Sequence, residues 1–81
     1  MESIRIARLP ELSTRLGAKR SAIYARVQSG TLTEPVHIGP RISGWPSHEI
    51  DAIILAHVAG KPESEIRDLV EKLHRQRLEA A

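Results

Sequence analysis

Residues 35–46 read Pro35-Val36-His37-Ile38-Gly39-Pro40-Arg41-Ile42-Ser43-Gly44-Trp45-Pro46. Val36 and Ile38 fall on one side of an extended chain and His37 on the other. Gly39 and Pro40 then supply turn chemistry before Arg41, Ile42 and Ser43. The stretch predicts a β-hairpin with Arg41 near its tip, and what precedes it gives the hairpin its meaning. Leu9, Leu12 and Leu16 recur at i, i+3 and i+7, Pro10 suits a first helical turn, Glu11 complements its positive end, and Gly17 stops the helix. After a turn of two or three residues, Ile23 and Val27 mark the inward stripe of a second helix that Gly30 ends. So short a connection permits only an angled helix pair. Helix, tight turn, helix and hairpin together make a winged helix-turn-helix, which presents its second helix to a major groove and its hairpin tip to the backbone or minor groove.

Outward from this centre, Ile4 and Ile6 alternate with Arg5, a strand too short to survive unless it pairs with the hairpin. On the other side, Pro46 or Ser47 opens a third helix. Glu49 and Asp51 lie in its first turn, Ile50, Ile53, Ile54 and Val58 form its apolar stripe, and Gly60 closes it. A fourth helix starts near Pro62, with Glu63 and Glu65 in its first turn, an Ile66, Leu69, Val70, Leu73 face, and Arg75 and Arg77 toward its C-terminal end. Trp45 is expected to anchor the hairpin against the third helix. The expected fold is mostly α with a small β-hairpin: a winged helix-turn-helix over residues 1–59, and over residues 60–81 an extra C-terminal helix for packing or self-association.

The chain has 81 residues, enough for one domain that buries only roughly 60–65% of its unfolded surface and gains from binding a partner or another copy. Cysteine is absent, which removes disulfides, thiolate metal sites and a cysteine nucleophile. An apolar content of 41% excludes wholesale disorder. With no Phe, one Trp and one Tyr, platforms for stacking single-stranded bases are nearly excluded, which leaves duplex grooves. No stretch resembles an export signal or a membrane span, so a soluble, cytoplasmic protein without membrane contact is expected. The net charge of +2 is small but uneven. Residues 1–48 hold seven Lys/Arg against three Asp/Glu, and residues 49–81 hold five against seven, so the basic excess lies on the helix pair and hairpin.

If Ile23 and Val27 face inward, Ser21, Tyr24, Ala25 and Gln28 form the outward stripe of the second helix, flanked by Lys19, Arg20 and Arg26. Ser21 and Gln28 suit base edges, and the cations suit phosphates or guanine edges. Arg41 sits beside Gly39, where a small residue lets a duplex approach. The competing reading of the cations is an ordinary solvated face, and of Tyr24 a ring that leans on the core. His37, His48, His57 and His74 contain no i, i+3 or i, i+4 pair, so no metal site is expected. Glu49 and Asp51, two apart, point to different faces of a helix and make no acid/base pair. There is no phosphate loop and no nucleophile elbow, so neither catalysis nor a cofactor is expected. One winged module buries only roughly 600–1,000 Å², so copies on adjacent sites are expected on double-stranded DNA.

Leu9-Pro10-Glu11-Leu12, Gly17, Ser21 with Ile23-Tyr24, Gly30, Pro35-Val36, Ile38-Gly39-Pro40-Arg41, Gly44-Trp45-Pro46 and Glu49-Ile50-Asp51-Ala52 resemble the AlpA family of prophage regulators. The resemblance covers roughly residues 4–59 and is most specific over Gly39 to Pro46. The family is similar to MerR-type winged helix-turn-helix domains and to excisionases, also called recombination directionality factors. The resemblance implies a DNA-binding protein of a mobile element that promotes excision with a tyrosine or serine integrase, regulates the element's transcription, or both, in a bacterial cytoplasm on the nucleoid. This chain departs from the family's pattern at Lys19, where a capping Ser is common, at Ala25, where an Arg is common, and at Glu34 and His37, where basic residues are common. Two alternatives stand beside an excisionase: a transcriptional regulator with no role in recombination, and a protein–protein adaptor whose fourth helix docks in a partner's groove.

Overall fold

The computed structural model describes residues 5–79, so Ile4 of the expected first strand lies outside the described residues. The elements run β1 (Ile6–Ala7), α1 (Leu9–Leu16), α2 (Arg20–Ser29), β2 (Val36–Gly39), β3 (Ile42–Pro46), α3 (Ser47–Val58) and α4 (Glu63–Glu79). Four helices surround a small antiparallel sheet in the order β1-β3-β2, the expected winged helix-turn-helix with a further C-terminal helix. Gly17 and Gly30 end α1 and α2 in the left-handed conformation at φ of 61° and 83°, which a β-carbon disfavours.

The wing is rooted through β3, the central strand. On one side Ile6 and Ala7 pair with Pro46 and Trp45, and the Ser47 N–H donates to the Arg5 carbonyl at 2.7 Å. On the other, Val36 opposes Gly44 and His37 opposes Ser43. Gly44 is where the two-residue strand presses closest: a β-carbon there would lie 2.5 Å from Ile6 Cγ2 and 2.7 Å from the Ala7 carbonyl oxygen. Only glycine lets β1 reach its partner.

The core gathers Leu12 from α1, Ile23 from α2, Leu32 from the connector, Trp45 from β3, Ile50 and Ile53 from α3, and Val70 and Leu73 from α4. Burying each aliphatic side chain contributes about 1.5–3 kcal/mol. Trp45 is 1% exposed, and its Nε1 donates to the Thr33 carbonyl at 2.6 Å, so the ring ties the sheet to the chain between α2 and β2. The apolar stripe of α4, Ile66, Val70 and Leu73, is buried within the same molecule.

Two apolar expectations change. Val58 is 78% exposed, because α3 runs past the end of the core that holds Ile50 and Ile53. Ile38, placed by alternation beside Val36, is 59% exposed, because the pairing register shifts between His37 and Gly39 and breaks the period of two. Glu49 lies in the first turn of α3 as expected, and in addition it is fully buried and forms an ion pair with Arg77.

Candidate nucleic-acid interface

Helix α2 turns Ile23 into the core and half-buries Val27, leaving Ser21, Ala22, Ala25, Gln28 and Ser29 exposed. Ser21, Ala25 and Gln28 thus share one accessible face. Ala22 belongs to that face as well; sequence reasoning missed it, although the same 3.6-residue period places it one turn before Ala25. The alanines keep the helix backbone close to whatever docks, and Gln28 projects a paired donor and acceptor.

Tyr24 stands at the edge of this face. It is 38% exposed, and its ring centroid lies 6.4 Å from that of Trp45 at an interplanar angle of 51°, so the ring bridges α2 and the wing root while part of it stays accessible. Arg26 lies apart from the others: it is half-buried on the opposite flank and lines a cleft with Thr31, His57, Lys61, Glu63 and Ile66. Lys19, Arg20 and Arg41 are exposed, the first two at the start of α2 and the third in the turn between β2 and β3.

The electrostatic pattern separates α2 from its neighbours. Helix α1 carries Glu11 in its first turn, α3 carries Glu49, and α4 carries Glu63 and Glu65. Helix α2 carries no acid there, and Lys19 and Arg20 begin it. Positive charge therefore adds to the positive end of the helix instead of offsetting it, an arrangement that suits an anion. Among the described residues Lys19, Arg20, Arg26 and Arg41 make no ion pair, whereas Arg5, Arg15, Lys61, Arg67 and Arg77 are paired with Glu11, Asp51, Glu65, Glu63 and Glu49. Arg8, Lys72 and Arg75 are outside those pairs too, so it is position beside α2 and the wing that distinguishes the first set.

The histidines are scattered in function: His74 accepts a hydrogen bond from the Glu34 N–H, His57 lines the cleft beside Arg26, and His37 and His48 are exposed. Among the described residues no group of three His, Cys, Asp or Glu is arranged to hold a metal ion. Glu49 and Asp51 face different partners, Arg77 and Arg15.

The architecture is that of a winged helix-turn-helix with the accessible face of its second helix beside the wing. The family described as "Prophage CP4-57 regulatory protein (AlpA)" matches residues 5–54, well over half of the chain. The chain belongs to this AlpA family of prophage regulatory proteins. No curated protein and no solved structure gives a significant match. The matched span closes within α3 and leaves α4 outside it.

Proposed function

We propose that the protein binds duplex DNA, several copies side by side, and acts as an excisionase-type recombination directionality factor alongside the element's integrase, while also regulating transcription of the element's genes. The single observation that carries duplex binding is the N-terminal end of α2: free of acids, begun by the unpaired Lys19 and Arg20, and continuous with an exposed face of Ser21, Ala25 and Gln28. In this reading α2 enters the major groove, Ser21 and Gln28 meet base edges, Tyr24 meets the groove wall, and Lys19, Arg20 and Arg41 hold phosphates, while Arg26 on the opposite flank stays out of the interface. The protein performs no chemistry of its own; it shapes the substrate of another enzyme. Bending a site costs a few kcal/mol, which contacts between neighbouring copies offset.

The family's description as a prophage regulatory protein favours a second reading, a transcriptional regulator with no direct part in recombination. An adaptor role has less to stand on, because the apolar stripe of α4 that would dock in a partner is occupied within the chain. No helix among the described residues is long and apolar enough to cross a membrane, and a place on the bacterial nucleoid in the cytoplasm follows from the DNA-binding reading.

Titration of duplex DNA over a range of salt tests the shared part of both readings. Three to five phosphate contacts give a log–log slope of roughly −3 to −5 per protomer, and absence of binding at low salt removes both. Excision of the element, measured in cells with and without this gene, then separates them. Loss of the excised junction supports the directionality role; an unchanged junction with shifted transcripts leaves the regulator.

A further inference from the structure

We infer that α4 is a strut that sets the angle between α2 and the wing, with Arg67, His74 and Arg77 as positioning residues for duplex binding; the inference rests on the reading of α2 and the wing as the elements that meet DNA. Residues 30–35, which join α2 to β2, contain no helix or strand, so their conformation depends on what grips them. Helix α4 grips the chain at both ends of this segment. Arg67 Nε donates to the carbonyl of Ser29, the last residue of α2, at 2.9 Å, and the arginine's aliphatic stem crosses Gly30. Five residues further on, the Glu34 N–H donates to His74 Nε2 at 3.1 Å, and Arg77 Nη2 donates to the Glu34 carbonyl at 2.7 Å. Between these points the Trp45 indole holds the Thr33 carbonyl.

The three tethering residues fall at i, i+7 and i+10, within an arc of roughly 80° on α4, beside the buried Ile66, Val70 and Leu73 stripe. One rigid helix face therefore fixes the exit of the recognition helix and the entry of the wing together. Arg77 also holds the wing's other root. Its guanidinium forks onto Glu49, three residues beyond the end of β3, so the residues that lead into β2 and out of β3 are gripped by the same side chain.

The consequence for recognition is selective. Short side chains such as Ser21 and Gln28 reach base edges only when α2 is placed within about 0.5 Å and 10–20°. Long cations reach phosphates over a wider range of poses. Loosening the strut therefore lowers the preference for one sequence over another while leaving the number of phosphate contacts unchanged, an outcome that simple loss of stability does not produce.

The absence of cysteine makes the angle measurable, since spin labels attach only where cysteines are introduced. Labels at Ala22→Cys on α2 and His37→Cys on β2 report the distance in the native background, in the double variant Arg67→Ala with His74→Ala, and in Arg77→Lys. The last keeps a positive charge beside Glu49 and covers the case in which the double variant fails to fold. A single narrow distance in the native background that broadens or shifts in a variant of unchanged helicity is expected. On a duplex selected from a random library against a scrambled one, the same substitutions in the unlabelled, cysteine-free chain should lose roughly tenfold in specificity ratio, the worth of one base contact, with the salt slope intact. An unchanged distance distribution in both variants overturns the strut. A broadened distribution with an unchanged specificity ratio overturns the positioning role. Broadening with no duplex binding by any form, the native chain included, keeps the strut and overturns the DNA-binding reading beneath it.

Discussion

Arg77 donates to both carboxylate oxygens of Glu49, at 2.7 and 2.6 Å, and the Glu49 side chain is 1% exposed while that of Arg77 is 24% exposed. The asymmetry decides which partner matters more. Arg77→Ala leaves a buried carboxylate with no counterion and should destabilise the fold by about 3–5 kcal/mol. Glu49→Gln leaves an arginine that still reaches water and should lose less. Urea denaturation of both variants checks this, and equal losses would contradict the asymmetry.

Gly44→Ala should destabilise by about 1–3 kcal/mol, because the new methyl meets Ile6 and the backbone of Ala7, which cannot move aside as a flexible side-chain end would. The hairpin itself is not obstructed. Thermal unfolding should therefore fall while amide protection is lost first at the Ile6 and Ala7 pairing; loss beginning at the Val36–Gly44 pair would place the strain elsewhere.

Arg20→Ala and Arg41→Ala should weaken duplex binding and reduce the salt slope by about one each, with helicity unchanged. Arg15→Ala is the contrast. Arg15 is engaged by Asp51, so its removal should leave the slope as it was and cost at most about 1 kcal/mol of stability. An Arg41→Ala variant that loses its circular dichroism spectrum would reassign Arg41 from contact to fold.

Thr33 is fully buried, and its hydroxyl has no hydrogen-bond partner among the described residues. A valine of nearly the same shape removes that unsatisfied group, so Thr33→Val should stabilise by about 1 kcal/mol in chemical denaturation. A loss of stability would show that the hydroxyl is engaged.

What could be read along the chain was what repeats locally. Leu9, Leu12 and Leu16, the Ile23 and Val27 pair, and the Ile66, Val70 and Leu73 stripe predicted their helices because burial imposes a 3.6-residue period. Trp45 was legible because so large a ring in a chain without Phe has to serve the core. The accessible face of α2 followed by subtraction, and Ala22 and Ser29 escaped it. The tethers did not show. Arg67 and Ser29, or Arg77 and Glu49, lie 38 and 28 residues apart, and a pair held by one carbonyl or one carboxylate leaves no periodic trace. Glu49 was legible only in part: it stands in the first turn of α3 as its position predicts, but nothing nearby announces a guanidinium arriving from another helix. Val58 and Ile38 misled because a period says which residues align, not where the core stops or a ladder slips.

The Arg77–Glu49 pair also orders events in time. On the ribosome Glu49 is made 28 residues before its counterion, an interval of roughly 1–6 s at 5–20 residues per second. During that interval the carboxylate that the finished fold buries has no guanidinium from α4 to meet it. Burial of Glu49 therefore waits for the fourth helix. The pair thus ties the third helix, in which the segment shared with the family closes, to a fourth helix that lies outside that segment.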